Sequence, residues 1–220
     1  MIEKILPSSV VVAESFGDPA GMSLLPEEEP LVAAAVEKRR REFTAVRHCA
    51  RQALRTLGMP PTPILTGAAG APVWPAGVVG SMTHCEGYCA SVLARSTEFA
   101  SLGVDAEPHG PLPEGVLEAI GLPGERARVG ALSAADPAVR WDRLLFSAKE
   151  SVYKTWFPLT GRKLGFEEAD IVLDPRAGTF TARILAPRPP VAVLTGRFLA
   201  DRRLVCTAIS LPATTAHGAA

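Results

Sequence analysis

Apolar residues recur every three or four positions over residues 28–57, and this periodicity predicts a long amphipathic helix. Gly58 follows the last of them and prolines occupy residues 60–61, so the helix is expected to end there. Its predicted buried stripe comprises Val36, Phe43, Val46, Ala50, Leu54 and Leu57. The same helix carries a basic run at residues 38–41, followed by Arg47 and Arg51.

A second periodic stretch predicts a helix over residues 136–157. Asp136 is a suitable N-cap, Pro137 suits the first turn, and Pro158 is expected to stop the helix. Its predicted buried stripe comprises Trp141, Leu145, Ala148, Val152 and Trp156. Three charged residues lie off that stripe, namely Lys149, Glu150 and Lys154.

Alternation of apolar and polar residues, bounded by Gly and Pro, predicts strands in the rest of the chain. The predicted strands cover residues 10–14, 99–107, 169–173, 179–185, 191–200 and 203–211. Residues 78–84 and 88–93 fit either short strands or a strand that enters a helix. Residues 109–135 are rich in Pro and Gly, which predicts loops and a short helix.

The strand at residues 99–107 has two chemically different faces. One face is apolar, and the other carries Ser101, Gly103, Asp105 and Glu107. Gly103 leaves room on the polar face, which weakly favours a bound ligand. Together the elements predict an α+β protein in two halves, each with one main helix and a few strands. The boundary is expected near residue 104, giving halves of residues 1–104 and 105–220.

The charge composition limits the kinds of partner that the protein is expected to bind. Lys plus Arg (23) equals Asp plus Glu (23), so no net charge draws the protein to nucleic acid or to a membrane. No stretch approaches the roughly 20 apolar residues that span a bilayer, and no signal peptide is recognised. Four cysteines in 220 residues favour reduced thiols in the cytoplasm over a disulfide scaffold.

Two acidic motifs carry the clearest chemistry. Residues 103–107 read Gly-Val-Asp-Ala-Glu, and residues 146–154 read Phe-Ser-Ala-Lys-Glu-Ser-Val-Tyr-Lys. Three carboxylates can hold a hard divalent cation such as Mg²⁺, and lysines can meet phosphate oxygens. This equipment suits a site that moves a phosphorus-containing group.

Each feature taken alone also has a structural interpretation. An isolated Asp-x-Glu is usually a solvated strand edge, and Glu150 with Lys154 forms an ordinary helix pair worth about 0.3–0.5 kcal/mol. The basic residues of the first helix fit a solvated face, and a lone histidine such as His84 is more often structural. A zinc site at His84, Cys85 and Cys89 lacks a fourth ligand at normal spacing.

Five sequence blocks resemble those of the 4′-phosphopantetheinyl transferases, specifically the Sfp/EntD-like group and its actinobacterial members. They occur in the same order as in that family. The blocks cover residues 46–51, 70–75, 80–84, 103–107 and 146–154. The resemblance implies a pseudo-two-fold fold that acts as a monomer. It also implies Mg²⁺-dependent transfer of phosphopantetheine from coenzyme A to a serine of an apo acyl or peptidyl carrier protein, with release of adenosine 3′,5′-bisphosphate.

The same resemblance implies roles for individual residues. The metal carboxylates are implied to be Asp105, Glu107 and Glu150. The contacts to coenzyme A are implied to be Arg39, Arg47 and His84 at the 3′-phosphate, Thr83 and Lys149 at a phosphate or the adenine end, and Lys154 at the pyrophosphate. Glu150 is expected to take the serine proton, with Glu107 as the alternative.

One departure from the family pattern concerns the turn at residues 65–69, which reads Leu-Thr-Gly-Ala-Ala. Many relatives carry a cation there, so Arg40 or Lys38 is expected to supply that contact, or the contact is missing. Two alternatives stay open, a metal-dependent hydrolase of coenzyme A and a catalytically silent carrier-binding protein. Residues 109–135 and 160–166 are candidate docking surfaces for the carrier.

Overall fold

The computed structural model describes residues 1–17 and 21–213. The strands in these ranges are β1 (Val11–Phe16), β2 (Leu65–Thr66), β3 (Pro72–Val73), β4 (Val78–Cys85), β5 (Tyr88–Arg95), β6 (Phe99–Pro108), β7 (Ala169–Asp174), β8 (Thr179–Ile184), β9 (Val193–Ala200) and β10 (Leu204–Pro212). The α-helices are α1 (Glu37–Thr56), α2 (Val116–Ile120), α3 (Pro123–Ala135) and α4 (Trp141–Thr160). Short 3-10 turns lie at Ile2–Ile5, Glu29–Val32, Ala68–Gly70 and Phe166–Glu168.

Two antiparallel sheets, each packed against one long helix, form the body of the protein. The first sheet has the order β1-β5-β4, and α1 packs on it through Ala50 and Leu54. The second has the order β6-β10-β9-β8-β7, and α4 packs on it through Leu145, Val152 and Trp156. The predicted α+β fold with two similar halves is confirmed.

The two sheets meet where β4 lies beside β6. The main-chain N–H groups of Val104 and Ala106 donate to the hydroxyl oxygens of Ser81 (3.1 Å) and Thr83 (3.0 Å), all of them buried. Side-chain hydroxyls therefore accept hydrogen bonds from main-chain N–H groups on the edge of β6 that faces the first sheet. All of β6 belongs to the second sheet through its pairing with β10, and the division of the chain at residue 104 stays a prediction.

The polar face of β6 packs against α4. The hydroxyl of Ser101 donates to the carbonyl of Thr155 (2.9 Å). A Cβ atom on Gly103 would overlap the carbonyl oxygen of Ser151 and the hydroxyl of Thr155. The prediction that the room at Gly103 favours a ligand is therefore wrong, because the helix itself fills that space.

The first long helix begins at Glu37 and not near residue 28 as predicted. Pro30 lies in a separate 3-10 turn. Val36 is the N-cap of α1 and is 74% exposed, so the prediction that it belongs to the buried stripe is wrong. The remaining predicted stripe is buried at Phe43, Val46, Ala50 and Leu54, with Leu57 partly buried.

The second long helix covers Trp141–Thr160, so both predicted ends are wrong. Asp136 is the C-cap of α3 and does not start α4. Pro158 lies in the last turn of α4, where its missing N–H removes only one hydrogen bond, and the helix ends at Gly161 with φ 63°. The predicted stripe is buried throughout, at Trp141, Leu145, Ala148, Val152 and Trp156.

Further predictions can be compared with the fold. Residues 78–84 and 88–93 form a β-hairpin, β4 with β5, and no helix. The segment at residues 109–135 contains two helices, α2 and α3, rather than one. All four cysteines are described and no disulfide joins them. Within residues 1–17 and 21–213, no helix has the length and apolar character that a bilayer crossing requires.

Candidate active site

A cavity of about 560 Å³ lies between α1 and α4. Its walls come from α1, residues 66–74, β4 and α4, so both halves of the protein contribute. The charged residues and the histidine that line it are Arg39, Arg47, His84, Glu150 and Lys154. The aromatic lining consists of Phe43, Trp74, Tyr153 and Phe157. The cavity thus combines cations of the first half with an acidic and a basic group of the second.

Arg39 and His84 are in direct contact at this cavity. Nη1 of Arg39 lies 2.7 Å from Nε2 of His84, and Nδ1 of His84 lies 3.8 Å from the carboxylate of Glu42. Burial, and then the charge of Arg39, lower the pKa of His84, so its ring is neutral at neutral pH. A neutral Nε2 can accept the hydrogen bond that Arg39 donates.

Arg47 is fixed in the wall of the same cavity and is only 4% exposed. Its Nε donates to the carbonyl of Ile64 (2.9 Å), its Nη2 donates to the hydroxyl of Thr66 (3.2 Å), and its guanidinium lies over the ring of Phe43. Burial lowers the pKa of Arg47 to about 10, so the side chain stays charged at neutral pH. Arg47 therefore offers a preorganised positive charge to an anion in the cavity.

Asp105 is a buried carboxylate with only one oxygen engaged. Oδ1 accepts hydrogen bonds from Nζ of Lys154 (2.7 Å) and from the hydroxyl of Thr83 (3.3 Å). Nζ of Lys154 also donates to the carbonyl of Val104 (3.1 Å). Oδ2 is buried and has no hydrogen-bond partner among the described residues. An unsatisfied buried carboxylate oxygen is unfavourable unless a ligand brings a donor or a positive charge.

Glu107 and Glu150 both have raised pKa values. Burial is the main cause for both, and the negative charge of Asp105 adds to it. The pKa of Glu107 reaches about 7, although Arg143, with Nη1 3.1 Å from Oε2 of Glu107, opposes the rise. Lys154 opposes the rise at Glu150. Both groups hold a proton more readily than an exposed glutamate does.

The carboxylates of this site are candidate ligands for a divalent cation. In the two described ranges, no three Asp, Glu, His or Cys side chains lie close enough together to form a ready-made metal site. The nearest charges to Asp105 and Glu107 are instead those of Lys154 and Arg143. The donor chemistry nevertheless fits Mg²⁺, because the groups are carboxylates and Oδ2 of Asp105 is buried without a partner.

Two family models match the chain, one on each half. The model described as 4′-phosphopantetheinyl transferase N-terminal domain matches residues 27–94, and that described as 4′-phosphopantetheinyl transferase superfamily matches residues 101–209. The 4′-phosphopantetheinyl transferase Svp of Streptomyces mobaraensis is 53% identical over 231 aligned residues, covering 100% of this chain and 94% of the relative. The chain belongs to the 4′-phosphopantetheinyl transferase superfamily.

Other relatives of this transferase support the same assignment. The 4′-phosphopantetheinyl transferase PptT of Mycobacterium tuberculosis is 50% identical over 96% of this chain and 98% of its own length. Enterobactin synthase component D of Salmonella typhi is 33% identical over 60% of this chain and 54% of its own length. The predicted family, its actinobacterial relatives and the prediction of a phosphopantetheinyl transferase enzyme are confirmed.

Arg40 and Thr83 have other partners in this transferase than the predicted coenzyme A. Arg40 pairs with the carboxylate of Glu29, outside the cavity lining. Thr83 is buried, and its hydroxyl donates to Asp105 while it accepts from the N–H of Ala106. The geometry does not support a ligand contact for either residue, and Thr83 instead holds a carboxylate in place.

Lys149 departs most from its predicted role. Its Nζ lies 2.9 Å from the carboxylate of Glu125 and donates to the carbonyls of Phe166 (2.6 Å) and Ala169 (2.8 Å). An ammonium group has three donors, and here all three have protein partners in a buried setting. The expected contact of Lys149 with coenzyme A is therefore not supported by this geometry. No local spacing indicates its pairing with a residue of α3.

Arg143 is a site residue that the sequence analysis missed. It lies on α4 and pairs with Glu107 of β6. Arg143 precedes Glu150 by seven positions, which is close to two helical turns, so both side chains leave α4 on one face. Arg143 precedes the motif at residues 146–154, and its helical spacing from Glu150 is the signal by which it could have been found.

Proposed function

We propose that this transferase moves the 4′-phosphopantetheine group of coenzyme A to a serine of an apo acyl or peptidyl carrier protein, with adenosine 3′,5′-bisphosphate as the leaving group. The observation that carries the proposal is the cavity between α1 and α4, which joins Arg39 and Arg47 to Glu150 and Lys154. Coenzyme A carries a 3′-phosphate and a pyrophosphate, and these two anionic groups match the two sets of charges.

The cations of the first half are proposed to bind the 3′-phosphate. Arg47 is held by Ile64 and Thr66, so little conformational entropy is lost when it meets an anion. Arg39 reaches the same cavity and is in contact with His84, which we include in this subsite. The turn at residues 65–69 provides no cation, and neither Arg40, which pairs with Glu29, nor Lys38 lines the cavity, so the subsite relies on two arginines.

Asp105, Glu107 and Glu150 are proposed to hold Mg²⁺. The unpartnered Oδ2 of Asp105 supports this assignment, and a cation there would offset the repulsion by which Asp105 helps to raise the pKa of both glutamates. When bound there, Mg²⁺ would neutralise negative charge on the pyrophosphate oxygens. Lys154, which already lies against Asp105, would add a second positive charge beside the same oxygens.

Glu150 is proposed to accept the proton of the carrier serine, with Glu107 as the alternative. The serine oxygen would attack the phosphorus of the phosphopantetheine group, and the bond from that phosphorus to the adenosine bisphosphate would break. Glu150 suits the role because its pKa is raised and no hydrogen bond to another described residue occupies its carboxylate. Glu107 is less available because Arg143 holds one of its oxygens.

The carrier protein is proposed to dock on residues 109–135 and 160–166, which border the two ends of α4. We further propose that the transferase acts as a monomer, since both halves of the site are present in one chain, and that it works in the cytoplasm, since its four cysteines are free thiols.

Mass spectrometry of an apo carrier protein tests the function. The carrier is incubated with the transferase, coenzyme A and Mg²⁺, and a parallel sample contains EDTA. A mass gain of one phosphopantetheine group that EDTA abolishes is the expected result. Consumption of coenzyme A without any gain on acyl and peptidyl carriers would identify a hydrolase instead. No consumption and no gain would contradict the proposal in favour of a silent carrier-binding protein.

A further inference from the structure

Arg143 makes three directed contacts from the first turn of α4. Its Nη1 donates to Oε2 of Glu107 (3.1 Å), its Nε to the carbonyl of Gly110 (3.2 Å) and its Nη2 to the carbonyl of Pro111 (2.6 Å). The side chain is 16% exposed. The guanidinium therefore cannot leave Glu107 without also giving up its main-chain partners.

The neighbouring residue holds the same segment. Oδ2 of Asp142 accepts a hydrogen bond from the N–H of Leu112 (2.8 Å). Residues 107–112 are thus tied at several points to the first turn of α4. Because Arg143 also donates hydrogen bonds to main-chain carbonyls of this segment, its side chain is held in the conformation that pairs with Glu107.

The charges around the two carboxylates of β6 are nearly balanced. Lys154 pairs with Asp105 at 2.7 Å, and Arg143 pairs with Glu107 at 3.1 Å. With Glu150 included and all three carboxyl groups ionised, the carboxylates exceed these two cations by a single negative charge. A divalent cation that approaches such a site alone meets two fixed positive charges at short range. A pyrophosphate that arrives with it brings the missing negative charge.

We propose that Arg143 is a positioning residue that keeps one oxygen of Glu107 engaged and offsets its charge, so that a divalent cation binds weakly to the free protein and tightly only together with coenzyme A. This inference rests on the proposed function of the same site. Binding of the metal and binding of coenzyme A would thus be coupled through a protein side chain.

The test measures binding of Mn²⁺ by electron paramagnetic resonance, in which free Mn²⁺ gives the signal, with and without coenzyme A and without any carrier. The variants are Arg143→Met and Arg143→Lys. Arg128→Met is the matched control, because Arg128 also pairs with a carboxylate and a carbonyl, those of Asp170 and Ile171, on β7. Thermal unfolding of each variant checks that it is folded.

For the wild type we expect coenzyme A to tighten Mn²⁺ binding. Arg143→Met should bind Mn²⁺ alone about tenfold more tightly than the wild type, because a positive charge beside the cation is removed. With coenzyme A the difference should fall below about threefold, since the pyrophosphate then supplies the charge. Arg143→Lys keeps the charge and should resemble the wild type, as should Arg128→Met.

Three results would overturn the inference. The first is equal or weaker binding of Mn²⁺ alone by Arg143→Met. The second is an equal gain for the lysine variant, which would mean that charge is not the cause. The third is a wild type whose Mn²⁺ affinity does not respond to coenzyme A. Because no carrier is present, these results are independent of phosphopantetheine transfer, which the carrier mass assay scores separately on the same preparations.

Discussion

At the scale of single residues, Glu150 is the carboxylate whose removal should disturb the fold least. It lines the cavity and its carboxylate hydrogen-bonds to no other described residue. Glu150→Ala should therefore lower the rate of carrier modification by about 10²- to 10⁴-fold, the usual range for loss of a general base. The thermal midpoint should move by less than about 2 °C, because no hydrogen-bonded partner is lost.

Glu98→Ala is the matched control for this prediction, since Glu98 is an exposed glutamate in the turn between β5 and β6 and belongs neither to the cavity lining nor to the proposed docking residues. Its rate should equal that of the wild type. Initial rates are measured by mass spectrometry at saturating Mg²⁺ and coenzyme A. Wild-type turnover by Glu150→Ala would remove Glu150 from the proposed chemistry and leave Glu107 as the base.

His84 gives a prediction for pH dependence. Its pKa is lowered in the folded protein by burial and by Arg39, so below about pH 6.5 the unfolded chain binds more protons than the folded one. Folding stability from this group is present above that pH and is lost as the pH falls. In urea unfolding, the free energy of unfolding of the wild type relative to that of His84→Gln should decrease between pH 7.5 and pH 5.

The other histidines occur in both proteins, so their titration cancels in this comparison. The glutamine can still accept a hydrogen bond from Arg39, which keeps the neutral contact similar. A difference that is constant with pH, or that grows as the pH falls, would mean that His84 is protonated readily in the folded protein.

Which site residues could be read from the sequence depends on how local their partners are. Glu150 and Lys154 share one helix, and Asp105 and Glu107 share one strand face, so spacing alone groups each pair. Whether a charged group is available to a ligand depends on distant partners. Lys149 looks free beside Glu150 but is engaged by Glu125 of α3, a pairing that follows from tertiary packing.

At the scale of elements, the close approach of α4 to β6 depends on Gly103. A methyl group there would overlap Ser151 and Thr155 of the helix. Gly103→Ala should therefore lower the free energy of unfolding by about 1–3 kcal/mol, as other overpacked sites do. Transfer activity should fall as well, because the displaced helix carries Glu150 and Lys154. Urea unfolding and the carrier mass assay measure the two effects.

Gly130→Ala is the control for Gly103→Ala. Gly130 lies inside α3, and no neighbouring atom would come within 4 Å of an added Cβ. The alanine should leave the free energy of unfolding unchanged or raise it by up to about 1 kcal/mol, since alanine favours a helix. If both variants were equally stable, the contact between β6 and α4 would have to be looser than described.

The hydrophobic periodicity predicted both long helices but not their ends. Apolar side chains identify the turns that pack on a sheet, as Ala50 and Leu54 do. Val36 matches the same period, yet it precedes the first helical turn and lies in solvent. Pro158 is tolerated because it falls in the last turn, where a helix needs few further hydrogen bonds. The ends of a helix therefore depend on the exposure and hydrogen bonding of individual residues rather than on hydrophobic periodicity.

At the scale of the whole molecule, the site exists because two halves, joined by an apolar core of β5, β6 and β10 residues, line one cavity. The first sheet and α1 position Arg39, Arg47 and His84, whereas β6 and α4 position the acidic groups. Hydroxyls of Ser81 and Thr83 fix β4 to β6 and so set the relation between the two groups. The two-half organisation was predictable from the order of elements, whereas this hydroxyl-mediated junction was not, because serine and threonine in a strand have no distinctive pattern.

Because the two halves supply different charged groups, we expect that binding of the two ends of coenzyme A can be weakened by separate substitutions. Arg39→Met should lower the affinity for coenzyme A about 10- to 100-fold, the effect of losing a charge-assisted hydrogen bond to phosphate. Its affinity for coenzyme A that lacks the 3′-phosphate should stay at the wild-type value. The increase in affinity caused by Mg²⁺ should also persist, because the carboxylates belong to the other half. Calorimetric titration with both ligands, with and without Mg²⁺, measures all three quantities.

Arg55→Met provides the comparison within the same helix, since Arg55 is exposed in the last turn of α1 and does not line the cavity. It should bind both ligands as the wild type does. If Arg39→Met weakened both ligands equally, Arg39 would act on the shape of the cavity and not on the 3′-phosphate. If it abolished the Mg²⁺ effect, the two halves would be coupled through α1, and separate subsites for the phosphate and the metal could not be maintained.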